Sequence, residues 1–355
     1  MKHAQTAPDP APDSAPDAAR LARWLRDRIG GFDGELALQR VQGGQSNPTY
    51  IVGLGGRPRW VMRAKPAGTL LPSAHAIERE FRVMAALAQF PGSAVPVPAV
   101  TALCEDAGVL GSAFYLMDFV PGRILGDQTL PGMTPGERTA IYDEMNRVIA
   151  ALHALDPDAL GLSDFGRPGH YVQRQVERWT RQYRASQTGA IDAMERLIAW
   201  LPLHLPAQRR TALVHGDYRL DNLVFDAAEP RIVAVLDWEL ATLGDPLSDF
   251  AYHCLTWRIA LGTHRTLAGV DLGPLGIPDE ATHLAAYCRR SGIALDEAMR
   301  QWPAHLAFNL FRLAAIQQGV AHRALQGNAA NDRAMAAGAR ARATAEAGWA
   351  VAQAA

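Results

Sequence analysis

The sequence predicts an α+β protein of two lobes, in which an N-terminal antiparallel sheet carries a helix and the C-terminal lobe is mostly helical. In the first third of the chain, short apolar runs that alternate with polar residues are separated by glycine-rich turns, which is the pattern of antiparallel strands. After residue 134, apolar residues recur mostly at helical spacing. A chain of 355 residues is long enough for two such lobes, and we expect them at residues 19–120 and 121–355.

Composition limits the class of protein. The first 18 residues alternate Ala, Pro and Asp without an apolar core, which predicts a disordered tail and not a signal peptide. A net charge of −1 argues against nucleic acid as a main partner, and no apolar run approaches the roughly 20 residues of a membrane span. Three widely separated cysteines form neither a disulfide framework nor a zinc site. We therefore expect a cytoplasmic protein that acts on a small molecule.

The first lobe opens with a helix and three strands. Residues 20–29 have helical spacing, residues 36–42 alternate as a strand, and two further strands are predicted at 50–52 and 60–63. A glycine-rich loop between the first two strands allows backbone N–H groups to approach phosphates, although most Gly-Gly pairs are only hairpin turns. The candidate residues of this loop are Gly43, Gly44, Ser46 and Asn47.

A helix predicted at residues 74–90 places Glu80 on its apolar stripe. A carboxylate that faces inward needs a partner, and a cation on the preceding strand is the obvious one. Arg63 and Lys65 lie two residues apart and so on the same face of that strand. The spacing leaves both cations open, and Glu78 is the less favoured carboxylate.

A strand over residues 114–118 ends in a Pro-Gly break, and the second lobe follows. Its first long helix is predicted to start at Thr134 and Pro135. Apolar residues at helical spacing form its buried stripe: Ile141, Met145, Val148, Ile149 and Leu152. The Ala-rich residues 329–355 are predicted to form a final helix on the surface.

The most informative segment contains a predicted β-hairpin. Residues 223–225 and 232–236 are apolar runs joined by a turn-rich spacer. An antiparallel hairpin brings the residue before its first strand, Asn222, beside the residue after its second, Asp237. A carbonyl oxygen and a carboxylate are ligands that Mg²⁺ accepts, with water and phosphate oxygens completing its shell. Asp217, five residues before Asn222, can point at the same place without binding the metal.

Each polar residue near the hairpin also has a structural interpretation. An Asp before a strand is often only a turn former, as we expect for Asp221 and Asp226. His215 is predicted to be a buried organiser of the loop and not a base. Asp245 would cap a helix that starts with proline, and Asp249 would hold the loop by accepting backbone N–H groups.

The joint spacing carries more weight than any single residue. Kinase catalytic loops have the same order: an Asp, four further residues, an Asn, a hairpin and then a second Asp. The series His-Gly-Asp…Asn…Leu-Asp-Trp resembles that of the aminoglycoside phosphotransferase-like family, which has the protein-kinase-like two-lobe fold. The resemblance implies an enzyme that uses ATP and Mg²⁺. It implies that Asp217 is the catalytic base and that Asn222 and Asp237 bind the metal.

The same resemblance assigns roles to the first lobe. The glycine-rich loop would cover the nucleotide phosphates, and Arg63 or Lys65, held by Glu80, would contact the α- and β-phosphates. The resemblance favours Arg63, which stands at the family's position on this strand, with Lys65 as the alternative. The strand that ends at the Pro-Gly break resembles the hinge of kinases. Its backbone around Met117 and Phe119 would bind adenine.

The acceptor is indicated by an arginine-rich helix. Arg174, Arg178 and Arg181 share one face, which would hold phosphates or a carboxylate; a solvated basic face is the alternative. This segment and residues 311–320 resemble the kinase-like domain fused to acyl-CoA dehydrogenases in some proteins. The resemblance implies an anionic acceptor such as a hydroxyacyl-CoA. The remaining alternatives are an aminoglycoside acceptor, which would need acidic groups, and a nucleotide-binding regulatory module without turnover.

Overall fold

The computed structural model describes residues 16–41, 47–66, 76–259, 266–325 and 332–355. The chain divides into two compact units. The first unit comprises Met1–Gln89 and Val97–Val120, and the second comprises Phe90–Pro96 and Pro121–Ala355.

The first unit is an antiparallel sheet with helices. Its elements are α1 (Ala18–Ile29), β1 (Leu36–Arg40), β2 (Thr49–Leu54), β3 (Arg57–Ala64), α2 (Ile77–Gln89), β4 (Val100–Cys104), α3 (Ala107–Leu110) and β5 (Phe114–Asp118). The strand order is β1-β2-β3-β5-β4, and all neighbouring strands are antiparallel. The predicted strand at residues 36–42 is shorter, because β1 ends at residue 40.

Local signals in the sequence set the ends of these elements. Asp17 caps α1, since its carboxylate accepts the N–H groups of Ala19 and Arg20. The turn between β2 and β3 has positive φ angles at Gly55 and Gly56, which glycine adopts without strain. The register of β3 against β5 places Arg63 opposite Tyr115, and this pair lies in the candidate site described below.

The second unit is mostly helical. Its elements are β6 (Arg123–Ile124), α4 (Pro135–Ala154), α5 (Tyr171–Ser186), α6 (Asp192–Trp200), β7 (Ala212–Val214), β8 (Leu223–Phe225), β9 (Ile232–Val235), β10 (Thr242–Gly244), α7 (Pro246–His253), α8 (Glu280–Ser291), α9 (Leu295–Leu325) and α10 (Asp332–Gln353). Short 3₁₀ turns lie at Leu201–Leu203, Leu220–Asn222, Trp238–Leu240 and Cys254–Trp257.

The start of α4 and the hairpin are confirmed. Thr134 and Glu137 form a capping box at the N-terminus of α4, and the whole predicted apolar stripe of this helix is buried. Strands β8 and β9 pair antiparallel, with Leu223 opposite Val235. Strand β6 extends this hairpin on the β8 side, and β7 pairs with β10.

The prediction of a surface helix at the C-terminus is wrong. Helix α10 packs against α9 and α6, and Ala341 and Ala345 are fully buried in a core that α5 also lines. A Cβ on Gly348 would lie 3.0 Å from the Cβ of Leu310, so the small residue allows a close approach. An Ala-rich helix shows no stripe of large apolar residues in its sequence, and its packing face was therefore missed.

None of the described helices has the length and the apolar composition that a membrane crossing requires.

Candidate active site

Asp217 is at the centre of a hydrogen-bonded cluster in the second unit. Its Oδ1 accepts the hydroxyl of Tyr252 at 2.6 Å, and its Oδ2 accepts Nδ2 of Asn222 at 3.0 Å. The guanidinium of Arg219 contacts both oxygens, with Nε 2.9 Å from Oδ1 and Nη2 3.1 Å from Oδ2. The carboxylate is 15% exposed, so it remains accessible to solvent or a ligand while donors hold its orientation.

Two further groups in this cluster keep their protons. Burial, followed by the charge of Asp217, raises the pKa of Tyr252, so its hydroxyl stays a donor. Burial alone would lower the pKa of Arg219, but Asp217, Tyr252 and Asp221 together outweigh it and the pKa is raised.

The loop that carries Asp217 (residues 215–217, the His-Gly-Asp loop) is fixed by Asp249. This buried carboxylate accepts the N–H groups of His215 and Gly216, each at 2.8 Å. Burial would raise the pKa of Asp249, but the interactions with His153 and His215 together outweigh it and the pKa is lowered. The predicted role of Asp249 as a structural acceptor is confirmed.

His215 organises the same loop from inside. It is fully buried, and its Nδ1 accepts the N–H of Asp217 at 3.2 Å. Its Nε2 lies 2.9 Å from the carbonyl of Leu236 and must therefore carry the proton. Because both ring nitrogens are occupied, His215 cannot accept a proton from a substrate, and the interpretation as an organiser is confirmed.

Only glycine fits between His215 and Asp217. Gly216 has φ +82°, and a Cβ there would lie 2.8 Å from the carbonyl oxygen of Leu240. The sharp turn of the His-Gly-Asp loop therefore depends on this residue.

The hairpin brings Asn222 next to Asp237, as the sequence predicts. The N–H of Leu236 donates to the carbonyl of Asn222 at 2.8 Å, and Asp237 is the next residue. Asp237 has φ 65° and ψ 60°, a left-handed conformation that is rare for a residue with a side chain. The chain turns sharply there into the Trp238–Leu240 3₁₀ turn.

The donor set fits a magnesium ion. The Nδ2 of Asn222 donates to Asp217, and no described residue donates to its Oδ1, which leaves that oxygen for a cation. In the part of the chain that the structure describes, no three His, Cys, Asp or Glu side chains group as a metal cage. One amide oxygen and one carboxylate suit Mg²⁺, which takes few protein ligands and keeps water and phosphate oxygens.

In the first unit, the predicted ion pair between Arg63 and Glu80 is confirmed. Nη1 of Arg63 lies 3.3 Å from Oε2 of Glu80, and Glu80 is fully buried. The Tyr115 hydroxyl also donates to Oε2 at 2.9 Å, and Nδ2 of Asn47 donates to Oε1 at 2.8 Å. Lys65 pairs with the more exposed Glu78 at 2.9 Å.

The remaining predicted nucleotide residues are placed as follows. Gly43, Gly44 and Ser46 lie outside the described residues. Met117 is buried on β5, and the N–H of Phe119 donates to the carbonyl of Arg59 at 3.0 Å, so this N–H serves the sheet and not a ligand.

The three arginines of the basic face lie on α5. Arg174 donates to the backbone carbonyls of Arg167 and Gly169, which ties down the segment before the helix. Arg178 and Arg181 are exposed. The guanidinium carbon of Arg178 lies 5.4 Å from the ring centroid of Trp179, within the range of a cation–π contact. Arg174 thus makes backbone hydrogen bonds that Arg178 and Arg181 do not make to the residues that the structure describes.

The family of this chain follows from a match over most of its length. The model of the family described as "Phosphotransferase enzyme family" matches residues 37–302. The chain belongs to this phosphotransferase family. Its kinase-like α+β fold, with an antiparallel N-terminal sheet and a helical second unit, agrees with that of the family.

The curated proteins that resemble this chain are much longer than the chain itself. Acyl-CoA dehydrogenase family member 10 of Mus musculus is 48% identical over 93% of this chain and 30% of its own length. Probable acyl-CoA dehydrogenase IBR3 of Arabidopsis thaliana is 40% identical over 87% of this chain and 39% of its own length. The chain thus spans about a third of the curated relatives that it matches, and these relatives carry this kinase-like domain.

Solved structures of the family have the same fold. A candidate aminoglycoside phosphotransferase from Ralstonia eutropha is 51% identical, with a TM-score of 0.83 over 96% of this chain and 99% of its own. A thermostable mutant of aminoglycoside phosphotransferase APH(4)-Ia has a TM-score of 0.61 and 18% identity over 94% of this chain and 98% of its own.

Several side chains that contact Asp217, its loop or Glu80 were not predicted from the sequence. Tyr252 and Arg312 lie on helices far along the chain, and no spacing rule links them to Asp217. Tyr115 was missed because the register of the sheet, and not the sequence, brings it to Glu80. Arg219 follows Asp217 by two residues, and the sequence offered that signal.

Proposed function

We propose that this protein transfers the γ-phosphoryl group of ATP to a hydroxyl of a small molecule, with Asp217 as the catalytic base. The observation that carries the proposal is the cluster in which Asn222 contacts Asp217 and the hairpin sets Asp237 beside Asn222. This combination supports a base and two metal ligands within one loop and hairpin.

The proposed reaction moves one phosphoryl group and one proton. The acceptor oxygen bonds to the γ-phosphorus as the bond from that phosphorus to the β–γ bridging oxygen breaks, and ADP leaves. The hydroxyl proton passes to the Asp217 carboxylate. Asn222 and Asp237 would hold Mg²⁺, which supplies charge neutralisation on the β- and γ-phosphates when bound.

The residues of the chain position the reactants. Asp217 orients the acceptor hydroxyl, and its own orientation is held by Tyr252 and Asn222. In the first unit, Arg63 would contact the α- and β-phosphates, and its ion pair with buried Glu80 supports a fixed geometry for it. Positioning and fixed charge supply most of the catalysis in such enzymes.

The proposed acceptor class is a hydroxyacyl thioester of CoA. Relatives at 40–48% identity are named as acyl-CoA dehydrogenases, so the phosphotransferase unit occurs in proteins that handle acyl-CoA. Exposed Arg178 and Arg181 provide positive charge on one helix face, which suits the phosphates of CoA. Nucleotide use is supported by fold neighbours whose structures contain GDP or ADP.

An assay of ADP release tests both reaction and acceptor. MgATP is presented with hydroxyacyl-CoAs, free hydroxy acids, sugars and aminoglycosides, and Asp217→Asn is run in parallel. We expect hydroxyacyl-CoAs to stimulate ADP release and Asp217→Asn to lower it about 10³-fold.

Other outcomes have distinct meanings. Stimulation by aminoglycosides alone would contradict the acyl-CoA acceptor but keep the phosphotransfer, since one fold neighbour was solved with hygromycin B. Tight nucleotide binding without turnover on any acceptor would favour a regulatory module.

A further inference from the structure

Arg312 is a buried cation on α9 that the proposed phosphotransfer does not use. Its residue is 5% exposed, and no carboxylate of the described residues lies within 4.0 Å of it. Its Nη2 donates to the carbonyl oxygen of Gly216 at 2.7 Å. Burying a cation without a carboxylate is costly, and an apolar side chain of similar length would avoid that cost. The role of this guanidinium must therefore depend on the groups that it contacts.

Aromatic rings surround Arg312 where a counter-ion would otherwise be expected. Its guanidinium carbon lies 4.8 Å from the ring centroid of Tyr252 and 5.9 Å from that of Trp179. Ring faces attract cations, and the attraction strengthens when water is excluded. These contacts offset part of the desolvation cost and fix the plane of the guanidinium.

Arg312 and Asp249 hold the same glycine from two helices. Asp249 of α7 accepts the N–H of Gly216, and Arg312 of α9 donates to its carbonyl. Both polar backbone groups of Gly216 are thus bound by side chains. The carbonyl belongs to the peptide that continues into Asp217, so Arg312 sets the orientation of that peptide.

The second route from Arg312 to Asp217 runs through Tyr252. The ring of Tyr252 lies against the guanidinium, and its hydroxyl donates to Oδ1 of Asp217 at 2.6 Å. Arg312 therefore reaches both the backbone and the side chain of Asp217 without touching the carboxylate.

We propose that Arg312 is a positioning residue for Asp217, acting through the Gly216 carbonyl and the Tyr252 ring. The inference rests on the proposed function of Asp217 as the base. It predicts that Arg312 affects the rate of the chemical step and not the binding of nucleotide or acceptor.

The test compares Arg312→Met, Tyr252→Phe and the double variant with the full-length wild type. Arg300→Met, an exposed arginine on the same helix that pairs with Asp296, is the matched control. We expect Arg312→Met to lower kcat about 10²-fold, as small misplacements of a catalytic group do, with KM values within about threefold. Tyr252→Phe should lower kcat about tenfold. The double variant should be no slower than Arg312→Met within about threefold, because both changes act on one unit.

Each outcome decides the proposal. Wild-type kcat in Arg312→Met, or multiplicative losses in the double variant, would overturn it. If Arg312→Met does not fold, the conservative Arg312→Lys is used: a kcat below that of the wild type at unchanged KM supports the role, and wild-type kcat overturns it.

If the wild type shows no turnover on any acceptor, the proposed function fails. The positioning role is then tested by comparing crystal structures of the wild type and Arg312→Met. Loss of the Tyr252–Asp217 hydrogen bond in Arg312→Met would support that role. An unchanged His-Gly-Asp loop would overturn it.

Discussion

Asp237 has a left-handed backbone at the end of the hairpin, although it carries a side chain. Such a conformation costs on the order of 1–3 kcal/mol and persists only where the surrounding structure imposes it. The buried Trp238 that follows donates its Nε1 to the carbonyl of Val235 at 2.9 Å and helps to impose the turn. The strain coincides with the residue that the sequence predicts to be a metal ligand.

The role of Asp237 is tested by Asp237→Ala. Because the substitution removes the carboxylate ligand, we expect at least a tenfold loss of affinity for MgADP, measured by titration calorimetry, and no change for ADP in EDTA. Asp226→Ala is the control, since Asp226 lies in the same hairpin and, among the described residues, its carboxylate contacts only the hairpin's own turn, through the N–H groups of Ala228 and Glu229 and the guanidinium of Arg231. Equal MgADP affinity in Asp237→Ala and the wild type would contradict the metal assignment.

The buried ion pair of the first unit leads to a stability prediction. Glu80→Gln leaves the Arg63 cation without its carboxylate and should lower the free energy of unfolding by on the order of 3 kcal/mol. Glu78→Gln disrupts the exposed pair with Lys65 and should cost less than about 1 kcal/mol. Urea unfolding of both variants measures the difference. Similar losses in the two would show that Glu80 is not the inward carboxylate of α2.

At the scale of elements, α7 and α8 meet through two buried histidines. Nε2 of His253 lies 3.1 Å from Nε2 of His283. Burial lowers the pKa of His253 to about 4, against the opposing effects of the Tyr218 backbone and Asp249. Burial, then His253 and Arg290, also lowers the pKa of His283. Both histidines are therefore neutral in the folded protein near pH 7.

This pair predicts a loss of stability in mild acid. Between pH 6.5 and 4 the unfolded chain binds a proton at His253 that the folded chain does not, so the free energy of unfolding falls as pH falls. From pH 7 to 5 the loss from His253 should be on the order of 2 kcal/mol, measured by urea unfolding. His253→Gln should show a smaller loss, and His204→Gln, at an exposed site, should behave as the wild type. A pH dependence that is unchanged in His253→Gln would contradict this account.

Elements with strong local signals were predictable from the sequence, and those that depend on distant packing were not. The hairpin and the start of α4 follow from turn residues and a capping box. The packed face of α10 follows from small residues that fit α9, which only the three-dimensional arrangement reveals. In the site, Asp217 and Asn222 share a local motif, whereas Tyr252 reaches Asp217 from a separate helix.

At the scale of the whole molecule, two compact units each hold one group of the predicted residues. The first unit contains the Arg63–Glu80 pair, and the second contains Asp217, Asn222 and Asp237. The family match spans residues 37–302 and so includes both groups. We propose that these groups serve the transfer of a phosphoryl group to a hydroxyl.

The most direct test is mass-spectrometric detection of a phosphorylated hydroxyacyl-CoA after incubation with MgATP. We predict phosphorylated product and an equal amount of ADP with the wild type. Asp217→Asn should form product about 10³-fold more slowly while binding MgADP as the wild type does. Product formation at the wild-type rate by Asp217→Asn would contradict the account, as would ADP release without any phosphorylated acceptor.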